Sequence, residues 1–139
     1  MKRLFFSLIA AGMLLSACNQ STGNATAGNT TGAANAPVMK FEKETHDFGK
    51  INEGDKVTYD FKFTNNGKSP LIITDGYASC GCTKPTWPNT PIKPGESGII
   101  HVVFNSRGKR GLQDKQITIT ANTSPAQNAV HLIGEVINK

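Results

Sequence analysis

The stretch Val57-Thr58-Tyr59-Asp60-Phe61-Lys62-Phe63-Thr64 alternates a large apolar or aromatic side chain with a polar one at every step. Because successive side chains of a β-strand point to opposite faces, this period of two predicts a strand with one buried face and one solvated face. The same alternation recurs at residues 117–121 and 130–136. We therefore expect the chain from residue 37 onward to be built from strands.

Further short apolar runs lie at residues 38–41, 46–48, 71–73 and 99–104. The run at 99–104 is the most uniformly apolar, as expected for a strand near the centre of a sheet. Turn-forming residues separate the runs, and no stretch keeps a 3.6-residue apolar period. About seven strands in roughly 100 residues predict an all-β, immunoglobulin-like β-sandwich.

The first 18 residues read MKRLFFSLIAAGMLLSAC. Two basic residues precede an apolar run that is too short to cross a bilayer, so residues 1–17 are predicted to be a signal peptide. The segment Leu15-Ser16-Ala17-Cys18 resembles a bacterial lipobox. In a lipobox, Cys18 would be acylated and would begin the mature chain. We therefore expect a protein of the bacterial envelope that contacts membrane lipid through Cys18. Asn19 weakly favours sorting to the outer membrane, facing the periplasm or the cell surface.

Residues 19–36 contain no charge, no aromatic residue and no large aliphatic side chain. Such a segment cannot bury enough apolar surface to offset the entropy of ordering, so residues 18–36 are predicted to be a lipidated cysteine and a disordered tether. A flexible coil of this length reaches about 20–25 Å on average. The domain itself is expected over residues 37–139. Cleavage of the signal would reduce the net charge from +5 to +3, and neither this charge nor the compartment favours nucleic acid as a partner.

Four segments occur in an order that closely resembles the DUF1573 family of bacterial proteins: residues 46–49 (HDFG), 63–67 (FTNNG), 79–83 (SCGCT) and 92–98 (IKPGESG). The resemblance covers about residues 40–137. It implies an immunoglobulin-like fold of the ASH and major-sperm-protein group and, often, a lipoprotein of the cell envelope. It implies no reaction, since the family is one of unknown function.

Cys80-Gly81-Cys82 is the sequence with the most chemical potential. Residues i and i+2 of an extended segment project to one side, and Gly81 allows the backbone to bend. Three outcomes are open: a small disulfide ring that is more reducible than an ordinary bridge, a dithiol that binds Cu(I), or a structural clip. The C-x-C spacing and the lack of a βαβ pattern argue against a thioredoxin-like enzyme. We predict no cofactor and no metal, with a Cys80–Cys82 metal site as the alternative.

Tyr77 and Trp87 flank this cysteine pair, and four prolines follow Thr83 before residue 95. A proline-rich aromatic loop loses little entropy on binding, so Tyr77, Thr83 and Trp87 are candidates for recognition of an envelope protein. The alternative is that Trp87 covers one end of the sandwich core.

The remaining polar motifs give no catalytic arrangement. The three histidines are interpreted as surface or hydrogen-bonded residues, and the basic turn at residues 107–111 as a solvated turn. No nucleophile elbow, zinc-protease helix or paired carboxylates are present in the sequence. We therefore expect a protein-binding or structural module and not an enzyme, with metal handling or thiol–disulfide exchange as the alternative.

Overall fold

The computed structural model describes residues 35–138, so the predicted signal peptide, Cys18 and nearly all of the predicted tether lie outside the described residues. The described part contains eight strands. They are β1 (Met39–Phe41), β2 (Thr45–Asn52), β3 (Lys56–Asn65), β4 (Ile73–Ala78), β5 (Thr83–Thr86), β6 (Ser97–Asn105), β7 (Gly111–Ala121) and β8 (Gln127–Ile137). None of the described residues form a helix long and apolar enough to cross a membrane.

The strands form two four-stranded sheets, in the orders β1-β3-β6-β5 and β2-β8-β7-β4. Strand β2 runs parallel to β8, and every other pair is antiparallel. The predicted immunoglobulin-like sandwich is confirmed. The uniformly apolar run at 99–104 lies in β6, which has a neighbour on each side.

The core lies between the sheets and is filled by the apolar members of the alternating strands. Phe61 and Phe63 of β3, which carry the clearest alternation in the sequence, are fully buried, while Thr58, Asp60 and Lys62 face solvent. Phe41 meets Phe63 edge to face with ring centroids 5.8 Å apart. The period-two pattern thus places each aromatic side chain where the sequence predicts it.

The sandwich has two ends that matter for function. At the N-terminal end, residues 35–37 lie against Gly67, whose added Cβ would be 2.4 Å from the backbone of Ala36. At the opposite end, which we call the Cys-loop end, lie Cys80–Cys82, the turn after β6 and the first residue of β3. Strand β3 runs between the two ends over ten residues, or about 30 Å.

One strand was not predicted from the sequence. Strand β5 has the sequence TKPT, which offers no apolar alternation and contains Pro85. A proline removes a hydrogen-bond donor from the ladder, and β5 accommodates it because β5 is an edge strand. The short run at 71–73 also differs from the prediction, since Leu71 bridges Ile92 and only Ile73 begins β4.

Candidate functional site

The cysteine loop connects the edge strand of one sheet to the edge strand of the other. A disulfide joins Cys80 to Cys82, whose Cα atoms lie 5.3 Å apart, closer than the roughly 6.6 Å of two extended residues. The amide of Thr83 donates to the Cys80 carbonyl at 3.3 Å, and the amide of Asn105 donates to the Cys82 carbonyl at 2.9 Å. The loop is therefore a tight turn fixed to β6 at its second cysteine.

The glycine between the cysteines is not required by sterics or by backbone conformation. A Cβ added at Gly81 would meet nothing within 4 Å, and its φ lies outside the left-handed region. The turn thus does not need the conformational freedom that the sequence suggested for this position. Both sulfurs are half-buried beside the Thr83 hydroxyl, at 3.7 Å from Cys80 and 3.9 Å from Cys82.

The structure does not bring Tyr77, Thr83 and Trp87 together in one loop. Tyr77 lies in β4, points away from the core and is 49% exposed. Thr83 begins β5 and is 4% exposed, since its side chain faces inward opposite Phe104. The pairing of β5 with β6, which the sequence did not reveal, buries the Thr83 side chain and separates it from Tyr77.

Trp87 closes the side of the sandwich where β4 and β5 form the sheet edges. Its ring lies over Gly76 of β4, where an added Cβ would be 2.7 Å from Cζ3 of the indole. The indole also packs against the core cluster. Trp87 therefore covers the core, which is the alternative interpretation of this residue, and only a shallow hollow with Pro85 and Asn89 remains outside it.

The opposite side of the sandwich has an open sheet edge. Strand β1 is three residues long and pairs only with Phe63–Asn65 of β3. Strand β3 pairs with β6 in an unbroken register from Lys56 to Thr64, but within residues 35–138 the part that precedes Lys62 has no backbone partner on its other side. A hollow of about 430 Å³ lies beside this part of the strand, lined by Glu42, Lys43, Thr58, Tyr59, Asp60 and Lys62.

The register identifies which backbone groups point toward the open edge. The Glu42 amide donates to the Lys62 carbonyl at 3.0 Å, and the Asn66 amide donates to the Val38 carbonyl at 2.9 Å. Even-numbered residues of β3 therefore direct their N–H and C=O groups toward β1, and the alternation continues to Asp60 and Thr58. These two residues present an unpaired strand edge, which we call the free β3 edge.

Two of the three histidines pair with carboxylates on the surface. Nδ1 of His101 lies 2.6 Å from the Asp60 carboxylate, and Nδ1 of His131 lies 2.8 Å from that of Asp114. Among the described residues, no three His, Cys, Asp or Glu side chains are grouped as metal ligands would be. The hydrogen-bonded interpretation is confirmed for these two histidines.

The third histidine lies at the open side of the sandwich. The ring of His46 stacks on Tyr59 with centroids 3.5 Å apart, so it covers the core between β2 and β3. Partial burial, with a smaller contribution from the nearby charge of Lys43, lowers the pKa of His46, and Asp47 opposes the effect. The lowered pKa favours the neutral ring, and the stack on Tyr59 makes His46 a packing residue.

Sequence reasoning missed the free β3 edge and one surface at the Cys-loop end. There, Lys56, Lys84 and Arg107 line a groove of about 430 Å³ with Cys82 and Asn105. Only Arg107 stood out in the sequence, because it belongs to the basic turn. The two lysines come from β3 and β5, and no local pattern reveals that β6 brings them to one place.

A family model described as "Protein of unknown function (DUF1573)" matches residues 39–136. The match spans all eight strands except the last residue of β8. No curated protein sequence matches the chain.

Solved structures share the fold at low sequence identity. A protein of unknown function from Porphyromonas gingivalis W83 aligns with a TM-score of 0.64 and 20% identity, over 74% of this chain and 48% of that one. The chain thus spans about half the length of that protein. The ASH/PapD-like domain 7 of human CEP192 aligns with a TM-score of 0.57 and 9% identity, covering 99% of both chains. The YadV chaperone gives a TM-score of 0.53 at 12% identity, over 70% of this chain and 51% of that one. These likenesses show an immunoglobulin-like fold of the ASH/PapD type.

Proposed function

The chain belongs to the DUF1573 family of proteins of unknown function, and from this premise we propose that it is a lipid-anchored envelope protein whose sandwich binds a partner protein without catalysing a reaction. The free β3 edge is the observation that carries the binding role. An unpaired strand edge presents donors and acceptors at the spacing of a β-ladder, and the groups that match this spacing are those of another extended chain. We propose that the partner contributes such a strand.

The other exposed edges of the sandwich are protected in ways that the free β3 edge is not. Strand β5 carries Pro85, and β4 has a register shift between Ile73 and Asp75 and carries the Trp87 ring over Gly76. Strand β2 has a register shift between Asp47 and Lys50. Prolines, covering groups and bulges are the devices by which proteins prevent unwanted strand pairing. Over Lys56–Thr64, β3 has neither a proline nor a register shift, so it is the edge best suited to accept a strand.

Removal of a single backbone N–H from the free β3 edge tests this role. Thr58→Pro removes an N–H that points to the open side, whereas Thr58→Val keeps that N–H and changes a similar amount of side chain. A photo-reactive residue at Asp60 should form a discrete cross-link to a partner in envelope membranes. The cross-link should be retained in the Thr58→Val variant and lost in the Thr58→Pro variant. Equal cross-linking by both variants, with both domains folded by circular dichroism, would refute strand addition at this edge.

The anchor has its own test. Cys18→Ser should release the protein from the membrane fraction and prevent incorporation of a labelled fatty acid, because only the thiol can form the thioether. Recovery of the variant in the membrane fraction, with the same label, would contradict lipid attachment at Cys18. Localisation to the outer membrane is checked by separating the two membranes on a density gradient.

Thiol–disulfide exchange is the second candidate function, favoured by the position of the half-buried Cys82 in the lining of the groove. Exchange requires that a thiolate can reach a sulfur of the disulfide. Equilibration with glutathione buffers gives the reduction potential of the Cys80–Cys82 pair. A potential near those of oxidoreductases, well above about −300 mV, would support exchange, and a lower one would support a structural clip. Binding of Cu(I) would first require reduction, since a disulfide offers no thiolate ligand.

A further inference from the structure

We propose that the groove at the Cys-loop end binds an acidic segment of the partner protein. Three cations line this groove: Lys56 from β3, Lys84 from β5 and Arg107 from the turn after β6. No carboxylate lines it, and within residues 35–138 none of the three cations forms an ion pair. The binding role rests on the proposed function, but the charge recognition is a separate surface property.

The sheet fixes the spacing of the three charges. Val103 of β6 pairs with Thr58 on one side and with Lys84 on the other, and Asn105 pairs with Lys56. The two lysines therefore stand on either side of β6, roughly 10 Å apart across two strand spacings and offset by two residues along the strands, or about 12 Å between their Cα atoms. One extended chain fits between the two lysines, where it would lie over the side chains of Val103 and Asn105.

The nearest acidic residue in sequence, Asp55, forms no ion pair with the groove cations, and its carboxylate accepts a hydrogen bond from the Asn52 amide at 2.9 Å. Lys109 lies in the same turn as Arg107 and adds a further positive charge to that turn. The Arg110 guanidinium is already neutralised by Glu53, with Nε 3.1 Å from the carboxylate. The groove cations thus remain the charges that an anionic ligand could meet.

The position of the groove argues for a protein ligand and against the headgroups of the anchoring membrane. The groove lies at the Cys-loop end, whereas residues 35–37 leave the sandwich at the other end of β3. In a chain anchored through its N-terminus, the tether would thus join the sandwich about 30 Å from the groove, at the other end of β3. A carboxylate can accept two hydrogen bonds from a guanidinium and one from each ammonium, so Asp and Glu side chains match the donor set.

The test measures binding of a fluorescein-labelled decapeptide of alternating Glu and Ser by fluorescence anisotropy, using the full-length protein in detergent at 20–150 mM salt. A triple variant, K56Q/K84Q/R107Q, removes the groove cations. The matched control, K40Q/K68Q/K93Q, removes the same charge from exposed positions that line neither the groove nor the hollow beside the free β3 edge. We expect the groove variant to weaken binding by about tenfold and the control by less than about twofold, with affinity falling as salt rises.

Three results would overturn the proposal. The first is an equal loss of affinity for the peptide in the groove variant and the control variant. The second is that a peptide with Gln in place of Glu binds as tightly as the Glu peptide. The third is binding to phosphatidylglycerol vesicles that depends on the groove cations and is tighter than binding to the peptide. The cross-link from position 60 reports the free β3 edge independently. Failure of the unsubstituted protein to bind the peptide, with that cross-link retained, would therefore reject the groove and leave the strand-addition role intact.

Discussion

Replacement of Asn65 by alanine should remove a large part of the stability of the domain. Asn65 ends β3, is 0% exposed, and its side chain ties together three segments of chain. Its Nδ2 donates to the Ser69 carbonyl at 2.8 Å and to the Ile92 carbonyl at 2.9 Å. Its Oδ1 accepts from the amides of Gly67 at 3.0 Å and Val38 at 3.3 Å. All four bonds are lost in Asn65→Ala.

The size of the effect follows from how far water can replace those bonds. A typical hydrogen bond contributes about 0.5–1.5 kcal/mol net, and a buried group left without a partner costs about 1–3 kcal/mol. Ile92 is buried, whereas Gly67 and Ser69 are half-exposed and can be hydrated. We therefore expect a loss of about 3–5 kcal/mol, a large fraction of the roughly 5–15 kcal/mol of an ordinary domain.

Urea unfolding followed by the fluorescence of Trp87 measures this loss, and Asn66→Ala is the matched control. Asn66 is exposed, and it contributes only its backbone amide to β1, which alanine keeps. The control should change the free energy of unfolding by less than about 0.5 kcal/mol. If Asn65→Ala costs no more than the control, Asn65 is not the link between these segments, and the reasoning fails.

Three further outcomes are expected. Gly76→Ala should destabilise the domain by about 1–3 kcal/mol because the new methyl group meets Trp87. Gly81→Ala, the control, should change the free energy of unfolding by less than about 0.5 kcal/mol. Similar unfolding midpoints for the two variants would contradict the contact between Gly76 and Trp87. Because burial lowers the pKa of His46 below 6.5, the unfolded chain binds this proton more readily, and the free energy of unfolding should fall as the pH drops below about 6.5. The H46F variant should lose that part of the pH dependence. A pKa of 6.5 or higher for His46 in an NMR titration of the folded protein would refute this prediction. Without reductant, alkylation should add no mass at residues 80 and 82, and with reductant it should add two groups, whereas labelling before reduction would show free thiols.

The sandwich could be predicted from the sequence because the pattern that specifies each strand lies within a few consecutive residues. The alternation around Phe61 and Phe63 specifies both the strand and its buried face, and the pairing of the strands then follows the usual architecture. Strand β5 could not be predicted, since Pro85 and three polar residues form a strand there only because β6 offers an edge. Its conformation is imposed by a tertiary partner.

The candidate surfaces were harder to predict for the same reason. The cysteine pair is visible as three adjacent letters, but the free β3 edge exists because β1 stops after Phe41, which is a property of pairing and not of composition. Lys56 and Lys84 are 28 positions apart in sequence and meet only across β6. Thr83 shows the converse, since a residue predicted to be in an accessible loop is buried by its strand partner.

The placement of the two ends has a mechanical consequence. A pull between the chain before residue 35 and a partner held at the Cys-loop end would act along the strand axes. The hydrogen bonds between β1 and β3 would then be loaded in shear. Bonds loaded in this way must break in groups, whereas a pull across the sheet opens them one at a time. With the proposed anchor at one end and the proposed partner at the other, the β1–β3 ladder would thus carry tension along the strand axes.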